Sequence, residues 1–337
     1  MRVLLSGLLF TALAAYAAKP LEIFFIDVEG GQATLIVSPS GQSMLVDTGW
    51  PGYTNRDANR IALAAKKAGI KKIDYVLITH FHTDHVGGAK QLADRIPVGT
   101  FIDKGKTVET GKNANEMMEI YEGALATSSN KKDPKPKRLT VKPGDTIPVK
   151  GLDITVVQAA GQSIGTGGTA NPACSNPVKK EADPSDNAQS VGFLLKFGSF
   201  RFVDLGDLTW NKEIDLVCPT NRIGPVDLFL VSHHGSDQSD SPTLLAALQP
   251  KVAVMNNGAK KGGSPSVWHT VHDSKGLQDL WQLHYAIEGA KEANSADPFI
   301  ANLDTTDDGH YLQLTAESDG SFKIFNSRNK YSKSYAK

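Results

Sequence analysis

Three histidines and one aspartate lie within six residues in the segment Thr79-His80-Phe81-His82-Thr83-Asp84-His85. The chain has nine histidines in 337 residues, so this density is far above what composition alone would produce. The segment follows an apolar run at 73–78 with the pattern of a strand, and a helical pattern continues after it. Histidine and aspartate also cap helix N-termini. Imidazoles and a carboxylate gathered at one point are nevertheless typical metal ligands, and we predict a metal site here.

Two further strand ends carry residues of the ligand type. An apolar strand predicted at 200–204 leads to Gly206-Asp207, and another at 226–232 leads to His233-His234-Gly235-Ser236. Gly-Asp alone is a common turn, so each of these features by itself is weak evidence. Open α/β sheets gather their sites at the carboxyl ends of their strands. The three strand ends together therefore predict one shared site.

This pattern resembles that of the metallo-β-lactamase superfamily of dinuclear hydrolases. Residues 79–85 resemble its hallmark loop, Gly206-Asp207 its bridging aspartate, and His233 or His234 its late histidine. Within the superfamily, the chain resembles the extracytoplasmic hydrolase domain of the DNA-uptake competence protein. That likeness is carried by residues 26–36, 45–49, 187–190 and 233–236, and the resemblance runs from about Leu21 to about Phe325.

The resemblance implies an α/β fold, the four-layer αβ/βα sandwich, with two divalent metal ions, Zn or Mn. One metal would be bound by His80 and His82 and the other by Asp84 and His85, with Asp207 bridging the two. The expected metal ligands are His80, His82, Asp84, His85, Asp207 and His233, and the expected catalytic residues are Asp84 and His234. Asp84 would orient a metal-bridging hydroxide. His234 is either the alternative ligand or a donor to developing negative charge.

Two departures from the family pattern bear on activity. No histidine occurs from Val86 to Ser232, where many members have another ligand, so that ligand is absent or replaced by oxygen or water. Asn187 or a backbone carbonyl is a candidate replacement, and a larger share of oxygen ligands would favour manganese. The chain also has Gly-Ser-Pro-Ser at 263–266 where the competence-type pattern has Gly-His-Pro-Ser. His269 and His272 are candidate substitutes, but we expect 268–272 to be a surface loop.

The leading hypothesis is a secreted, dinuclear, metal-dependent hydrolase of a phosphodiester or related ester. The alternatives are a lactone, thioester or β-lactam hydrolase, and a metal-binding protein without turnover. Lys plus Arg equals Asp plus Glu, 36 each, so the formal net charge of zero does not support nucleic acid as a partner over a small-molecule substrate.

The N-terminus has the pattern of a secretory signal peptide at 1–17, with Arg2, an apolar stretch and Ala15-Tyr16-Ala17 as a cleavage site. An uncleaved anchor is the alternative, although the stretch is short for a membrane span. We expect a secreted or periplasmic protein with no transmembrane segment in the mature chain. Cys174 and Cys218 pair in an oxidising compartment or stay free, and the sequence does not decide between these states.

The remainder, 18–330, is predicted as one hydrolase domain with insertions near 104–142 and 161–186. Strands are predicted at 21–27, 33–38, 43–47, 98–102, 152–158, 191–197, 251–255, 310–315 and 322–326. Helices are predicted at 56–68, ending at Gly69, and at 117–125. Residues 131–138 carry five positive charges around two prolines. They form either a solvated loop or a cationic strap for a phosphate-bearing substrate.

Overall fold

The computed structural model describes residues 19–128, 134–165, 167–306 and 308–337, and the predicted signal peptide lies outside them. Over these ranges the chain forms nineteen strands and seven α-helices. The strands are β1 Leu21–Phe25, β2 Thr34–Val37, β3 Ser43–Val46, β4 Ile73–Leu77, β5 Val98–Asp103, β6 Lys137–Thr140, β7 Asp153–Ala159, β8 Gln162–Ser163, β9 Thr169–Ala170, β10 Gly192–Phe197, β11 Phe200–Asp204, β12 Thr220–Asn221, β13 Leu228–Leu230, β14 Val252–Met255, β15 Asp279–His284, β16 Ile300–Asn302, β17 Leu312–Ala316, β18 Phe322–Asn326 and β19 Ser332–Tyr335. The helices are α1 Arg56–Lys67, α2 Thr83–Val86, α3 Ala89–Ala93, α4 Lys112–Ala126, α5 Trp210–Val217, α6 Pro242–Leu248 and α7 Pro265–His272.

The strands form two large sheets and one small ribbon. The first sheet has the order β19-β18-β17-β1-β2-β3-β4-β5-β6, and the second has the order β16-β15-β14-β13-β11-β10-β7-β8. Strands β3 to β6 run parallel, as do β11, β13, β14, β15 and β16. Each sheet therefore has a parallel region whose strands all end at the same edge, where functional side chains can converge.

Alternation along the strands builds three apolar layers from these two sheets. Val46 and Leu195 belong to the core between the sheets. Their neighbours point to the opposite faces, where Leu45 packs with α1, α3 and α4, and Leu194 packs with α5, α6 and α7. Helices thus cover both outer faces of two stacked sheets. The four-layer αβ/βα sandwich expected from the resemblance is confirmed.

Local signals located most elements, and most of the misses lie in the C-terminal half, with β6 a further miss in the N-terminal half. Helix α1 ends at Lys67, just before Gly69, which has φ +72° as a C-terminal glycine should. Strands β15, β16 and β19 and helices α5 to α7 were not predicted. The expectation of a surface loop at 268–272 was wrong, because these residues belong to α7. Trp268 on that helix is 7% exposed and packs in the core under the second sheet.

The two predicted insertions are partly regular. In the first, Met117 and Tyr121 of α4 are buried in the core beneath the first sheet, and β6 extends that sheet in parallel with β5. The second insertion is held by the ribbon of β9 and β12 and by a disulfide. The disulfide joins Cys174 and Cys218, whose Cα atoms are 5.6 Å apart. Over the described ranges, the structure has no helix that is long and apolar enough to span a membrane.

The two described lysines of the basic segment, Lys135 and Lys137, lie at the edge opposite the strand ends that carry the predicted ligands. Lys135 and Lys137 line a cavity of about 520 Å³ together with Lys72 and Val98, which stand at the starts of β4 and β5. A five-residue strand separates the two edges by about 17 Å. Arg138 donates to Asp103 at 2.7 Å, so its charge is used internally. Lys135 and Lys137 therefore lie away from the metal centre, whereas Arg138 reaches Asp103 at the carboxyl end of β5, and the substrate strap stays a prediction.

Candidate metal centre

The hallmark segment changes conformation where the chemistry requires it. After β4 the chain runs to His82, which is extended with φ −81° and ψ 157°, and α2 then begins at Thr83. Asp84 and His85 are therefore presented from the first turn of a helix. His80 and His82 approach the same region from the extended strand end. A strand-to-helix junction is what allows six consecutive residues to direct four side chains at one place.

Two other strand ends close the site. Asp207 follows β11 through Gly206, whose φ is +57° and whose hypothetical Cβ would lie only 2.9 Å from Thr79 Cβ. After β13, His233 and His234 both take left-handed conformations, with φ of +51° and +57°. Two consecutive left-handed residues that are not glycine cost free energy. This strain directs both imidazoles towards Asp207, which is the arrangement the site needs.

Four of the predicted residues form one tight, buried group: Asp84, His85, Asp207 and His234, with ligand atoms all within 4.8 Å of one another. His234 Nε2 lies 3.2 Å from Asp84 Oδ2 and 3.4 Å from Asp207 Oδ1. His85 Nε2 lies 3.3 Å from Asp84 Oδ2 and 3.2 Å from Asp207 Oδ2. The sequence prediction put His233 in this group, with His234 as the alternative. The geometry selects His234.

His233 lies on the other side of Asp207, with His80. His233 Nε2 is 3.5 Å and His80 Nε2 is 3.9 Å from Asp207 Oδ2. Asn187 Nδ2 is 3.4 Å from His233 Nε2. The side chains that meet here are therefore His80, His233 and Asn187, the last being the residue that the sequence offered as a replacement ligand. The tandem histidines thus divide between the two sides of Asp207.

His82 is the predicted ligand that stands somewhat apart. Its ring centroid is 4.6 Å from that of His80, but its Nε2 contacts Glu109 Oε1 at 3.1 Å, and its side chain is 28% exposed. Glu109 was not predicted as a site residue, since a lone glutamate in a polar loop carries no sequence signal. Its contact with His82 places the 104–111 loop at the rim of the centre.

Asp47 orients His85 from behind. Its Oδ2 is 2.7 Å from His85 Nδ1, while the backbone N–H and hydroxyl of Thr79 donate to the same carboxylate at 2.8 and 2.7 Å. This arrangement directs His85 Nε2 into the centre. In the sequence, Asp47 lies within the segment 45–49, one of those that carry the family resemblance. Its position at the end of β3 was the signal that could have placed it at the site.

Lys261 also reaches the centre, and no sequence argument anticipated it. Its ammonium contacts Asp84 Oδ2 and lies 4.9 Å from the ring centroid of Trp50. The histidines proposed as substitutes, His269 and His272, do not come near. Both are about half exposed on α7 and pair with Asp273.

Electrostatics keep most of these groups in the forms that bind metal. Burial and the neighbouring His85 lower the pKa of His80 well below its usual value, so this imidazole is neutral. Burial acts to raise the pKa values of Asp84 and Asp207, but the surrounding histidines outweigh it and hold both well below normal. Burial also acts to lower the pKa of His85, and the adjacent carboxylates raise it well above its usual value. A metal ion must therefore displace a proton from His85.

Comparison with known proteins agrees with this geometry. Residues 26–170 match the sequence profile of the Metallo-beta-lactamase superfamily. The matched region, which contains the hallmark segment, therefore carries the sequence pattern of this superfamily. It is 24% identical over 250 residues to ComE operon protein 3 of Bacillus subtilis, a match covering 70% of this chain and 28% of that protein. It is 25% identical over 274 residues to a UPF0173 metal-dependent hydrolase of Polaromonas, covering 78% and 88%. The match therefore spans little more than a quarter of the first relative.

Among solved structures, the metallo-β-lactamase fold protein YhfI of Bacillus subtilis is similar with a TM-score of 0.47 and 13% identity, covering 78% of this chain and 96% of that one. The fold assignment itself rests on the layers and topology described above together with the superfamily match. The resemblance stated from residues 79–85 is thereby confirmed at the level of the superfamily.

The side chains present fit a metal centre of this superfamily. His80 Nε2, Asn187 Oδ1 and Asp207 Oδ1 are buried and have no hydrogen-bond partner among the described residues. Leaving such an atom without a partner costs about 1–3 kcal/mol. These three atoms, one of them on the Asp207 carboxylate, form a donor set that cations would satisfy, since imidazole nitrogen and carboxylate and amide oxygens are all metal ligands.

Proposed function

We propose that this protein is a metal-dependent hydrolase with a dinuclear centre. The observation that carries the proposal is the position of Asp207, which faces His234 with Oδ1 and faces His85, His233 and His80 with Oδ2. Asp207 thus lies between two groups of histidines, His85 with His234 and His80 with His233, and a carboxylate in that position is suited to neutralise two cations at once. The superfamily binds divalent metals, often two, and a cluster of histidine and aspartate is present.

The ligand sets of the two sites follow from these contacts. One site would use Asp84, His85 and His234, and the other His80, His82 and His233, with the Asn187 carbonyl oxygen available to the latter. Asp207 would serve both. His82 requires only the exchange of its contact with Glu109 for a metal, and its partial exposure leaves room for that change.

Cations held here would polarise a carbonyl or phosphoryl oxygen and lower the pKa of a bound water. The residues of the chain supply the rest. Asp84 stays ionised, so either of its oxygens can accept a hydrogen bond from the attacking water and orient it. Asp47 holds His85 in place through its Nδ1. Burial of the ligand set excludes bulk water from the reacting atoms.

The substrate class we propose is a phosphodiester or related ester. A cavity of about 570 Å³, lined by Thr209 and Trp210, which follow Asp207 in the sequence, is large enough for a small-molecule substrate. Lys180 also lines this cavity and lies over the ring of Trp210 at 3.8 Å, which provides a cation and an aromatic surface. Hydrolysis of a lactone, thioester or β-lactam is the alternative within the same chemistry.

We also propose that the protein acts outside the cytoplasm. The disulfide between Cys174 and Cys218 supports this location, because such bonds persist mainly in oxidising compartments. The apolar segment at 1–17 supports it from the sequence. N-terminal sequencing of the mature protein and thiol labelling of fractionated cells would test it. A retained residue 1 together with two free thiols would contradict this location.

The test of function uses protein reconstituted separately with zinc and with manganese. We expect about two ions per chain and turnover of at least one chromogenic ester from a set containing a phosphodiester, a lactone, a thioester and a β-lactam. Asp207→Asn should lose metal and turnover, whereas the exposed control Asp215→Asn should keep both. Unchanged metal content in Asp207→Asn would contradict the bridging role. Two ions per chain without turnover of any ester would favour a metal-binding protein.

A further inference from the structure

The loop after β14 is built directly against the metal centre. Gly263 N donates to His234 O at 2.9 Å, and Ser264 N donates to Gly235 O at 2.9 Å. Gly262 has φ +72°, and a Cβ there would lie 2.1 Å from His234 O. Only glycine permits this contact. The position of Lys261, the residue before this glycine pair, is therefore set by the backbone that carries His234.

Lys261 ends at the open side of the buried group. Its ammonium contacts Asp84 Oδ2, the oxygen that also lies 3.2 Å from His234 Nε2. The lysine side chain is 38% exposed, whereas that of Asp84 is 10% exposed. The indole of Trp50, 4.9 Å from the ammonium, forms one wall beside it. Lys261 thus connects Asp84, the most exposed of the three carboxylates at the centre, to solvent.

Asp84 Oδ2 serves the ammonium and faces the site proposed for a divalent cation. A divalent cation on this oxygen takes up the charge that holds the lysine and repels the ammonium. The stem of Lys261 is anchored near its base, since a Cβ on Gly30 would lie 3.0 Å from Lys261 Cβ. The ammonium of Lys261 can therefore move only as far as the flexible lysine side chain allows. It stays beside the centre, on the exposed side.

We propose that Lys261 recognises an anionic group, a phosphate or a carboxylate, that the substrate carries next to the bond to be hydrolysed. This inference rests on the proposed hydrolase function and narrows its substrate to anionic esters. It makes Lys261 a specificity-determining residue. The alternative is a purely structural role, in which Lys261 only neutralises the charge of Asp84.

The test compares Lys261→Met with Lys260→Met as the control. Lys260 is the exposed neighbour of Lys261 in the same loop. Metal-loaded proteins are titrated by calorimetry with phenylphosphonate and with benzoate, which are not hydrolysed and distinguish the two anions. We expect Lys261→Met to bind at least one of them about tenfold more weakly and Lys260→Met to bind as the wild type does, a difference of about 1.4 kcal/mol. Equal affinities in all three proteins would overturn the proposal.

Two further measurements separate recognition from charge neutralisation. Lys261→Met should raise KM for an anionic ester with kcat nearly unchanged, and should leave the kinetics of an uncharged ester unaltered. In titrations of the apo protein it should bind metal more tightly, since the ammonium no longer competes for Asp84. A fall in kcat on charged and uncharged esters alike would show a merely structural role. If no ester is turned over but Lys261→Met loses phenylphosphonate or benzoate binding, the hydrolase function fails while the anion site stands.

Discussion

His85 and Asp47 are joined by a 2.7 Å contact between Nδ1 and Oδ2, and both side chains are fully buried. Asp47 is not placed to touch a metal, yet it decides which nitrogen of His85 faces the centre. Carboxylates that orient ligating histidines are typically worth 10–100-fold in metal affinity.

The first prediction concerns this pair. Asp47→Asn replaces an acceptor oxygen with an amide group, so His85 loses part of its orientation and metal affinity should fall about 10–100-fold. Calorimetric titration with zinc measures the effect. Asp94→Asn, an exposed carboxylate that pairs with Lys90, is the matched control and should not change metal binding. Unaltered affinity in Asp47→Asn would mean that packing alone holds His85.

The second prediction separates the tandem histidines. His233 and His234 face different oxygens of Asp207, so His233→Ala and His234→Ala should each weaken a different one of two binding events by at least tenfold. Titration of Co(II) into the apo variants, followed by its visible absorption, distinguishes the two sites. His269→Ala, on the exposed face of α7, should retain both events. Identical spectra from the two site variants would contradict the division.

The third prediction concerns the basic segment. Because Lys135 and Lys137 lie at the edge opposite the metal centre, replacing both with methionine should leave KM and kcat for a phosphodiester within about twofold of wild type. Their exposed charges act over a screening length of about 10 Å at 0.1 M salt, shorter than the strand that separates them from the site. A rise in KM that disappears in high salt would support the strap interpretation.

The fourth prediction concerns pH and the buried pair Glu213 and Asp240. Burial raises the pKa of Glu213 from 4.5 to about 7, and burial and the adjacent Glu213 raise that of Asp240 well above normal. Both oxygens of Glu213 accept backbone N–H groups, from Asp240 and Ser241. The folded state therefore binds a proton that the unfolded chain has released.

A carboxyl group whose pKa is raised by folding makes its full contribution to the free energy of unfolding below the pKa of the unfolded chain. That contribution is lost as the pH rises through the pKa of the folded protein, here about 7. The free energy of unfolding of wild type relative to Glu213→Gln should therefore fall between about pH 4.5 and pH 7, by roughly 2–3 kcal/mol. Urea denaturation at several pH values measures this. Asp215→Asn, half exposed on the same helix, should show no such trend. A difference that is constant with pH would show that Glu213 is ionised in the fold.

The sequence determined the layers and the first half of the site. Nearly continuous apolar runs such as 192–197 reflect burial on two faces, a property that each strand carries in its own residues. His80, His82, Asp84 and His85 are adjacent in sequence, so a strand followed by a helix brings them together in almost any context. The elements missed, such as β16 and α5, are short, and short apolar runs carry too little periodicity to specify their type.

Only the tertiary structure decided the partners that arrive from distant segments. His233 and His234 are indistinguishable in sequence, and their separation comes from two left-handed backbone conformations that the surrounding fold imposes. Lys261 becomes a site residue because two glycines press its loop against His234, and Lys137 is excluded because parallel pairing with β5 places it at the far edge. Residue type states what chemistry a side chain can do. Whether it takes part in a site depends on its distance from the other groups, because contact interactions weaken within a few ångströms, and the packing of separate strands sets that distance.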